Sequence, residues 1–568
     1  MDRSPATNLA MGGGANRRAV TSVKPEQAPK GKLWTPTRPE FGEGSTVWGS
    51  SRQMHLDRST GVVGTARRDR GSRKRERSVC DEGSGLNGAA RYRSARKSDR
   101  VVVLLKPGNA GGGKDPDFWC VFEANEVRRL AMSLQTPDAI RTLRRKLYGK
   151  AKTEPGFRFY ILYDKVWRTD ILRHAYDLAR ANKGAPGVDG TTFERIEAAG
   201  LEDWLTRLGE ELRTKTYRCQ PVRRVMIPKA GGGERPLGIP TIRDRVVQTA
   251  AKLVLEPIFE ADLDPAAYGY RPGRGAGQAI QTVLTLLRQG YTDVVDADLS
   301  KYFDTIPHDE LMQSLARRIV DPDMLRLIKQ WLKAPVETTD EDGGKRIEGG
   351  RASRHGVPQG GVISPLIANL YMNRFLKYWR QTGRGEAWQA HVINYADDFV
   401  ILSRGHAEEA LAWTDRTMTR LGLTLNRTKT RLCEARTDRF DFLGYSFGLH
   451  RIRQDGRRYL GASPSAKSVQ RLKDKVSAML VPGNMGRWDD VRAQLVRMMR
   501  GWCGYFSPGS HYVADKAIEA HIYDRVRNFL VRRHKMPPRS MGPFTKDAVF
   551  GSLGVPRLRH CRREGVLS

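Results

Sequence analysis

Short apolar segments alternate with amphipathic ones through the middle of the chain. Residues 223–240 have the pattern of two strands joined by a glycine-rich turn, and residues 243–260 have helical periodicity. Apolar, β-prone residues open the segment 292–308 and flank the centre of 392–402, which predicts a third strand and a second hairpin. Residues 406–422 are again helical in pattern. This mixture predicts an α+β fold.

Beyond about residue 460 the pattern is helical throughout. Ser463 is predicted to cap, and Pro464 to begin, the first of three basic helices. A third helix is predicted over 512–534. The apolar stripes of the first two helices are Val469, Leu472, Val476 and Met479, then Val491, Leu495, Met498 and Trp502.

The first 120 residues show no sustained apolar period. They are rich in Gly, Ser, Arg and Pro, and residues 66–78 form a basic run with little to bury. Such composition is typical of disordered chain, so we predict a low-complexity N-terminal extension over 1–120. A solvated tail, or an over-extended start of the reading frame, is favoured over an arm that contacts nucleic acid.

The charge of the chain points to a polyanionic partner. Its 568 residues carry a formal net charge of +35, which makes nucleic acid the first candidate and a membrane surface the second. No apolar run approaches the roughly 18 residues needed to cross a bilayer, and the first residues lack the apolar core of a secretory signal. The six cysteines are scattered without Cys-x-x-Cys spacing, which argues against zinc fingers and disulfide scaffolds. We therefore expect a cytoplasmic protein with no membrane partner.

Two pairs of aspartates are candidates for a catalytic metal site. Asp397 and Asp398 lie at the centre of the predicted hairpin 392–402, where on their own they favour an ordinary polar turn. Asp296 and Asp298 lie on one side of another buried-looking strand, by the period of two. Two such strands shift the balance toward a site for divalent cations, and carboxylates suit Mg²⁺. Two Mg²⁺ ions can clamp an in-line phosphoryl displacement.

A triphosphate substrate would also need cations. Lys229 and Arg235 flank the glycine-rich turn 231–233, and Lys429 follows in the segment LNRTKTRL. A single basic residue is most often solvated, so each is a candidate only in combination with the acids.

Nine short sequence blocks occur along the chain in the same order as in a known protein family. Through them the chain resembles the reverse transcriptase–maturases encoded by group II introns, over about residues 125 to 560. The blocks are RANKGAPGVDG (180–190), VMIPKAGGGERPLGIPTIRDRVVQ (225–248), YGYRPGRGA (268–276), DADLSKYFDTIPH (296–308), GVPQGGVISPLIANLYMN (356–373), YADD (395–398), GLTLNRTKT (422–430), FDFLGYSF (440–447) and RGWCGYF (500–506).

The resemblance implies roles for individual residues. Asp298, Asp397 and Asp398 would be the catalytic ligands of two Mg²⁺ ions; Asp298 rather than Asp296 matches, because Phe303 follows it by five positions. Phe303 would select deoxynucleotides by clashing with a 2′-hydroxyl, although core packing is its alternative. The further implied contacts are Lys229, Arg235, Gln359 and Lys429 for the dNTP, Tyr395 and Ala396 near the primer end, and Arg487, Arg492, Arg497 and Arg500 for RNA.

The resemblance also implies an architecture and a function. A right-hand polymerase with fingers and palm would occupy 121–455, and an α-helical thumb or maturase domain 456–568. Many relatives end in an endonuclease domain with paired metal-binding cysteines and histidines; here Cys561 is the only cysteine after the block at 500–506, so we expect no C-terminal endonuclease domain. The protein would copy RNA into DNA with Mg²⁺. It would also bind its intron RNA, within a ribonucleoprotein, to promote splicing and insertion into target DNA by target-primed reverse transcription. Its partners would be intron RNA, an RNA template with a DNA primer, target DNA and dNTPs.

Two other functions remain open from the sequence. The first is an RNA-binding splicing factor whose polymerase activity has lapsed, against which the intact aspartates argue. The second is a reverse transcriptase recruited to defence or DNA repair, against which the block at 500–506 argues, although a recruited enzyme could retain it.

Overall fold

A computed structural model describes residues 134–228, 234–340, 344–452, 455–536 and 543–564. The predicted N-terminal extension lies outside these ranges. Within them, no helix is both long enough and apolar enough to cross a membrane.

Eighteen helices and eleven strands make up the described part of the chain. The helices are α1 (Asp138–Thr153), α2 (Tyr163–Val166), α3 (Thr169–Ala181), α4 (Phe193–Ala198), α5 (Leu201–Arg213), α6 (Ile242–Glu260), α7 (Ala276–Arg288), α8 (Tyr302–Thr305), α9 (His308–Ala316), α10 (Pro322–Leu332), α11 (Ser364–Gln381), α12 (Arg384–Ala387), α13 (Ala407–Arg420), α14 (Ala466–Met479), α15 (Trp488–Tyr505), α16 (Tyr512–Arg533), α17 (Lys546–Phe550) and α18 (Leu558–Glu564). The strands are β1 (Val222–Pro228), β2 (Glu234–Ile239), β3 (Asp293–Asp298), β4 (Pro335–Thr339), β5 (Lys345–Gly349), β6 (His391–Tyr395), β7 (Asp398–Ser403), β8 (Arg431–Glu434), β9 (Phe440–Phe442), β10 (Tyr445–Arg451) and β11 (Arg458–Pro464).

The elements before β3 are all helices except for β1 and β2, which belong to a four-stranded sheet. Helix α6 is buried along nearly its whole length and packs against α1 and α3. The sheet has the strand order β2-β1-β4-β5, in which β1 and β2 form the predicted antiparallel hairpin. The sheet therefore brings the segment just before α6 beside the later strands β4 and β5.

The central sheet has the order β6-β7-β3-β8, and all its neighbours are antiparallel. Its two faces enter two different hydrophobic cores, as the alternation of side chains along a strand requires. Phe399 and Ile401 join a core with α11 and α13, whereas Val400 and Leu402 join a core with α7 and the C-terminal helices. The sheet is thus buried on both sides, and its strand ends are where polar residues can collect.

A third sheet, β11-β10-β9, connects the central sheet to the C-terminal helices. The hairpin β10–β11 spans residue 455, where the sequence places a domain boundary. Ser463 and Pro464 belong to β11, so the predicted cap was wrong; Ser465 caps α14 by accepting a hydrogen bond from the Ser468 backbone N–H.

The block RGWCGYF is largely an internal packing element. Trp502 and Phe506 are fully buried, and their rings lie 4.8 Å apart. The Tyr505 hydroxyl donates to the Leu443 carbonyl at 2.9 Å, which ties α15 to the third sheet. Met499 takes the buried place in α15 that the sequence assigned to Met498. The prediction of an α+β fold with a helical C-terminal part is confirmed.

Candidate active site

The central sheet places two aspartates opposite each other. Strands β3 and β7 pair so that Asp298 lies beside Asp398, at the end of both strands. Since residues two apart share a face, both side chains lie on the side of Val294 and Val400. Asp397 lies in the two-residue turn between β6 and β7. The pairing of β3 with this hairpin thus places the backbones of all three predicted metal ligands next to each other.

The turn of this hairpin has an unusual backbone. Ala396, the first of its two central residues, has a φ of 60°, a region that most residues other than glycine avoid. A positive φ at this place suits the twist of a two-residue hairpin. The Asn394 side-chain amide donates to the Ala396 carbonyl at 2.8 Å, and Asn394 is buried. The turn is therefore fixed from within.

A segment before α7 supports the hairpin from outside. The Tyr268 backbone N–H donates to the Asn394 carbonyl, and the Asn394 N–H donates to the Ala266 carbonyl. Gly269 lies so close that a Cβ on it would come within 2.6 Å of the Ala396 nitrogen. A glycine at this position permits the contact, and sequence patterns gave no sign of it.

Asp298 is held by the segment that follows α13. The Lys429 ammonium lies 3.2 Å from its Oδ2, and the Asn426 side-chain amide donates to the same oxygen at 3.2 Å. The Asn426 backbone N–H also donates to the Asp298 carbonyl at 2.8 Å. Sequence reasoning missed Asn426; its only signal was its place in the block GLTLNRTKT.

Asp397 interacts electrostatically with the other charged side chains of the site. Burial raises the pKa of its carboxyl, and the Asp298 carboxylate raises it further. A backbone hydrogen bond and the charges of Arg235 and Lys429 lower the same pKa. Arg235 and Lys429 therefore both face the aspartates, as the predicted triphosphate contacts should.

Asp296 has a different role in the structure. It is buried and lies directly across from Arg431 on β8, whose guanidinium donates to its Oδ2 at 3.1 Å. This ion pair neutralises the acid within the sheet.

Helix α8 carries Phe303, and the loop before α11 carries Gln359; hydrogen bonds join these two segments. The Val357 N–H donates to the Phe303 carbonyl at 2.7 Å, and the Gln359 amide donates to Asp304 at 3.2 Å. The Gln359 carbonyl in turn accepts from the Gly238 N–H on β2, the strand that carries Arg235. Phe303 is half-buried against the first core, so part of its ring remains accessible.

The remaining predicted residues are placed as follows. Lys229 lies outside the described residues. Tyr395 is buried in the second core, and Ala396 beside it is buried too. On α15 and at its start, Arg487, Arg497 and Arg500 are exposed, while Arg492 pairs with Asp489 at 3.2 Å.

The donor set fits a hard divalent cation, because all three candidate ligands are carboxylates on adjacent backbone positions. Within the described ranges, no group of three or more His, Cys, Asp or Glu side chains is already gathered closely enough to hold a metal ion. Lys429 occupies one Asp298 oxygen instead. The sheet thus brings the backbones of the three aspartates together, while the side chain of Asp298 is paired with Lys429.

Two family models match the chain in sequence order. Residues 227–447 match the reverse transcriptase (RNA-dependent DNA polymerase) family. Residues 469–544 match the group II intron maturase-specific domain. The first range contains all three aspartates with Arg235, Phe303, Gln359 and Lys429, and the second contains the exposed arginines of α15.

Relatives of the chain cover it to different extents. Protein YkfC of Escherichia coli (strain K12) is 36% identical over 58% of this chain and 93% of its own length. The group II intron-encoded protein LtrA of Lactococcus lactis subsp. cremoris is 33% identical over 39% of this chain and 35% of its own length. A solved structure of telomerase from Candida albicans matches 65% of this chain and 67% of its own with 12% identity, a weak likeness with a TM-score of 0.33.

Proposed function

The chain belongs to the group II intron-encoded reverse transcriptase–maturases, and from this premise we propose how its residues serve RNA-directed DNA synthesis and intron binding. One observation carries the proposal. Asp298 and Asp398 are paired neighbours in the central sheet, with Asp397 in the adjoining turn and two cations facing it. Carboxylates collected at one edge of a sheet, with cations beside them, support a role in nucleotidyl transfer assisted by divalent metal ions.

Asp298, Asp397 and Asp398 would hold two Mg²⁺ ions. When bound, these ions stabilise the attacking and leaving oxygens of an in-line displacement. The chain's own part is to present three carboxylates from a rigid hairpin at the end of a doubly buried sheet. The ammonium of Lys429 holds Oδ2 of Asp298, and from the same position Lys429 would reach an incoming triphosphate.

The other side chains would position the dNTP. Arg235 and Lys429 face the aspartates and would bind the triphosphate. Gln359, joined to β2 through its backbone, would contact the nucleotide, and Phe303 would lie beneath its sugar. In the reaction, the primer 3′-hydroxyl forms a bond to the α-phosphorus, and the bond to pyrophosphate breaks.

The sugar contact predicts a change in substrate selectivity. We expect Phe303→Val to raise the use of ribonucleotides relative to deoxynucleotides by about tenfold or more, because the smaller side chain leaves room for the 2′-hydroxyl. The measurement is kcat/KM for dCTP and CTP in extension of a DNA primer on an RNA template. Phe157→Val removes the same atoms from a half-buried ring in the same core and should leave the ratio unchanged. Unchanged selectivity in Phe303→Val would assign this ring to packing alone.

The hydrogen bond to Asp298 predicts a role for Asn426. We expect Asn426→Ala to weaken divalent-ion binding by about 10-fold or more, since groups that orient a ligand commonly contribute that much. Binding of Mn²⁺ followed by electron paramagnetic resonance reports this without catalysis, and the Mg²⁺ dependence of extension should shift in parallel. Thr428→Ala, which removes only a hydroxyl bonded to the Asn426 side chain, should have a smaller effect. An unaltered Mn²⁺ affinity in Asn426→Ala would refute the role.

For intron RNA, the proposal rests on the maturase-specific domain and the excess of basic residues. Arg487, Arg497 and Arg500 are exposed on or beside α15, where they would contact phosphates of the RNA. The RNA itself would carry out the splicing chemistry, and the protein would bind and stabilise its fold. The same ribonucleoprotein would bind target DNA during insertion of the intron.

A further inference from the structure

A cavity of about 470 Å³ lies away from the aspartates, on the other side of the central sheet. It is bordered by the end of α9, the second half of α11 and the end of α13. These helices belong to the first core, where Phe375 of α11 contacts Phe399 at 5.6 Å between ring centroids. Asp298 and Asp398 lie on the opposite face, by the alternation along β3 and β7. The cavity is therefore separate from the nucleotide site.

Basic side chains dominate the walls of this cavity. Two of them already have acidic partners: Arg318 pairs with Asp262 at 3.0 Å, and Arg374 pairs with Glu310 at 2.6 Å. Arg318 also donates to backbone carbonyls, including that of Ala151 at 2.6 Å. These two arginines are structural.

Three further cations on the walls are not used in this way. Arg317, Lys377 and Arg420 have no carboxylate within ion-pair distance anywhere in the described part of the chain. Lys377 experiences the charge of Asp262 only at longer range. Like charges that line one concave surface reinforce each other's potential, so this cavity attracts anions.

An aromatic ring completes the walls. Tyr378 lines the cavity next to Lys377 and remains 38% exposed. Its ring stacks on Trp413 with centroids 5.3 Å apart and planes 20° apart, which fixes its orientation. A rigid ring beside cations is the combination by which proteins hold single-stranded nucleic acid, with bases stacked on the ring and phosphates on the cations.

We propose that this cavity binds a single-stranded segment of RNA, with phosphodiester groups on Arg317, Lys377 and Arg420 and one base against Tyr378. Its volume is within the range of sites that enclose small ligands, which suits a short looped-out segment better than a duplex. Since the cavity lies across the sheet from Asp298, RNA held there leaves the nucleotide site accessible. The cavity would thus be a second RNA-binding surface, located on the polymerase part of the chain and distinct from the arginines of α15 proposed above.

The test is binding of a labelled single-stranded RNA to the full chain, measured by fluorescence anisotropy over about 50 to 200 mM KCl. Lys377→Gln with Arg420→Gln removes two phosphate contacts and should lower the slope of log affinity against log salt by about 1.4. Affinity should then fall about sevenfold less across that fourfold rise in salt. The matched control, Lys329→Gln with Arg416→Gln, removes two exposed charges from helices α10 and α13 that do not line the cavity, and should behave as the unmodified protein.

A second measurement locates the base. RNA containing 5-iodouridine should photocrosslink to Tyr378, and Tyr378→Leu should abolish that crosslink. Extension of a short primer on a short RNA template should be unchanged in both cavity variants, which also shows that they fold. An equal loss of slope in the control pair would show that the effect depends only on the net charge of the protein, and would overturn the proposal. A normal slope in the cavity pair, or binding of ATP there with RNA binding unaffected, would overturn it as well.

Discussion

Asp397→Ala should lower the rate of dNTP incorporation at least about a thousandfold while leaving intron RNA bound. The Asp397 carboxylate lies in the turn of the hairpin and interacts with the charges of Asp298, Arg235 and Lys429. Loss of a ligand that helps stabilise transition-state charge costs several kcal/mol, and each 1.4 kcal/mol is about tenfold in rate. The measurement is single-turnover extension of a DNA primer on an RNA template.

The control for this substitution is Asp309→Ala. Asp309 is an exposed acid in the first turn of α9, so its removal changes the net charge equally without touching the hairpin. Intron binding, followed by filter retention, should be within about twofold of the unmodified protein in both variants, because phosphate contacts come from basic residues. Primer extension by Asp397→Ala at an undiminished rate would contradict the assignment of Asp397 as a metal ligand. Parallel loss of extension and RNA binding would instead indicate a misfolded chain.

Local patterns predicted the elements of the site but not its internal contacts. The alternation of apolar residues over 392–402 located both strands of the hairpin and its turn. The period of two on β3 correctly placed Asp296 and Asp298 on one side. It did not reveal that Arg431 neutralises Asp296, because that contact depends on the register between β3 and β8.

Contacts between distant segments were beyond the sequence. Asn426 reaches Asp298 across 128 positions of chain, and no local pattern records such a separation. The start of the first C-terminal helix was misplaced for a related reason. A serine followed by proline is a good helix start locally, but pairing of β11 with β10 keeps Ser463 and Pro464 extended. Tertiary pairing overrides a local signal of this size.

The block RGWCGYF shows that a sequence motif can indicate a family without indicating which residues contact the ligand. As a motif it indicates a maturase, which suggests contact with RNA. In the structure Trp502, Cys503 and Phe506 are buried, and the Arg562 guanidinium lies 5.4 Å from the Trp502 ring. The motif thus fastens α15 to the third sheet, and the RNA contacts proposed for this helix fall on the exposed Arg497 and Arg500 instead.

Gly269→Ala is the second substitution with a large expected effect, because it acts on the backbone of the catalytic hairpin. The added Cβ would lie 2.6 Å from the Ala396 nitrogen and 3.1 Å from the Tyr395 carbonyl carbon. Neither atom can yield as the end of a flexible side chain could, so the turn itself must move. Asn369 restrains Gly269 from the other side by donating to its carbonyl at 2.5 Å. The hairpin is therefore displaced rather than the segment behind it.

A displacement near 1 Å at a reacting centre can cost about a hundredfold in rate, and overpacking in a core costs about 1–3 kcal/mol of folding stability. We expect both effects in Gly269→Ala, with extension measured well below the unfolding temperature so that the rate reports geometry and not unfolding. Gly277→Ala is the matched control: no atom lies within 4 Å of its added Cβ, and it is in α7. It should retain the full rate and a stability unchanged or raised by up to about 1 kcal/mol. If Gly269→Ala kept the rate of the control, the position of Asp397 would not depend on this contact, and the hairpin alone would have to fix it.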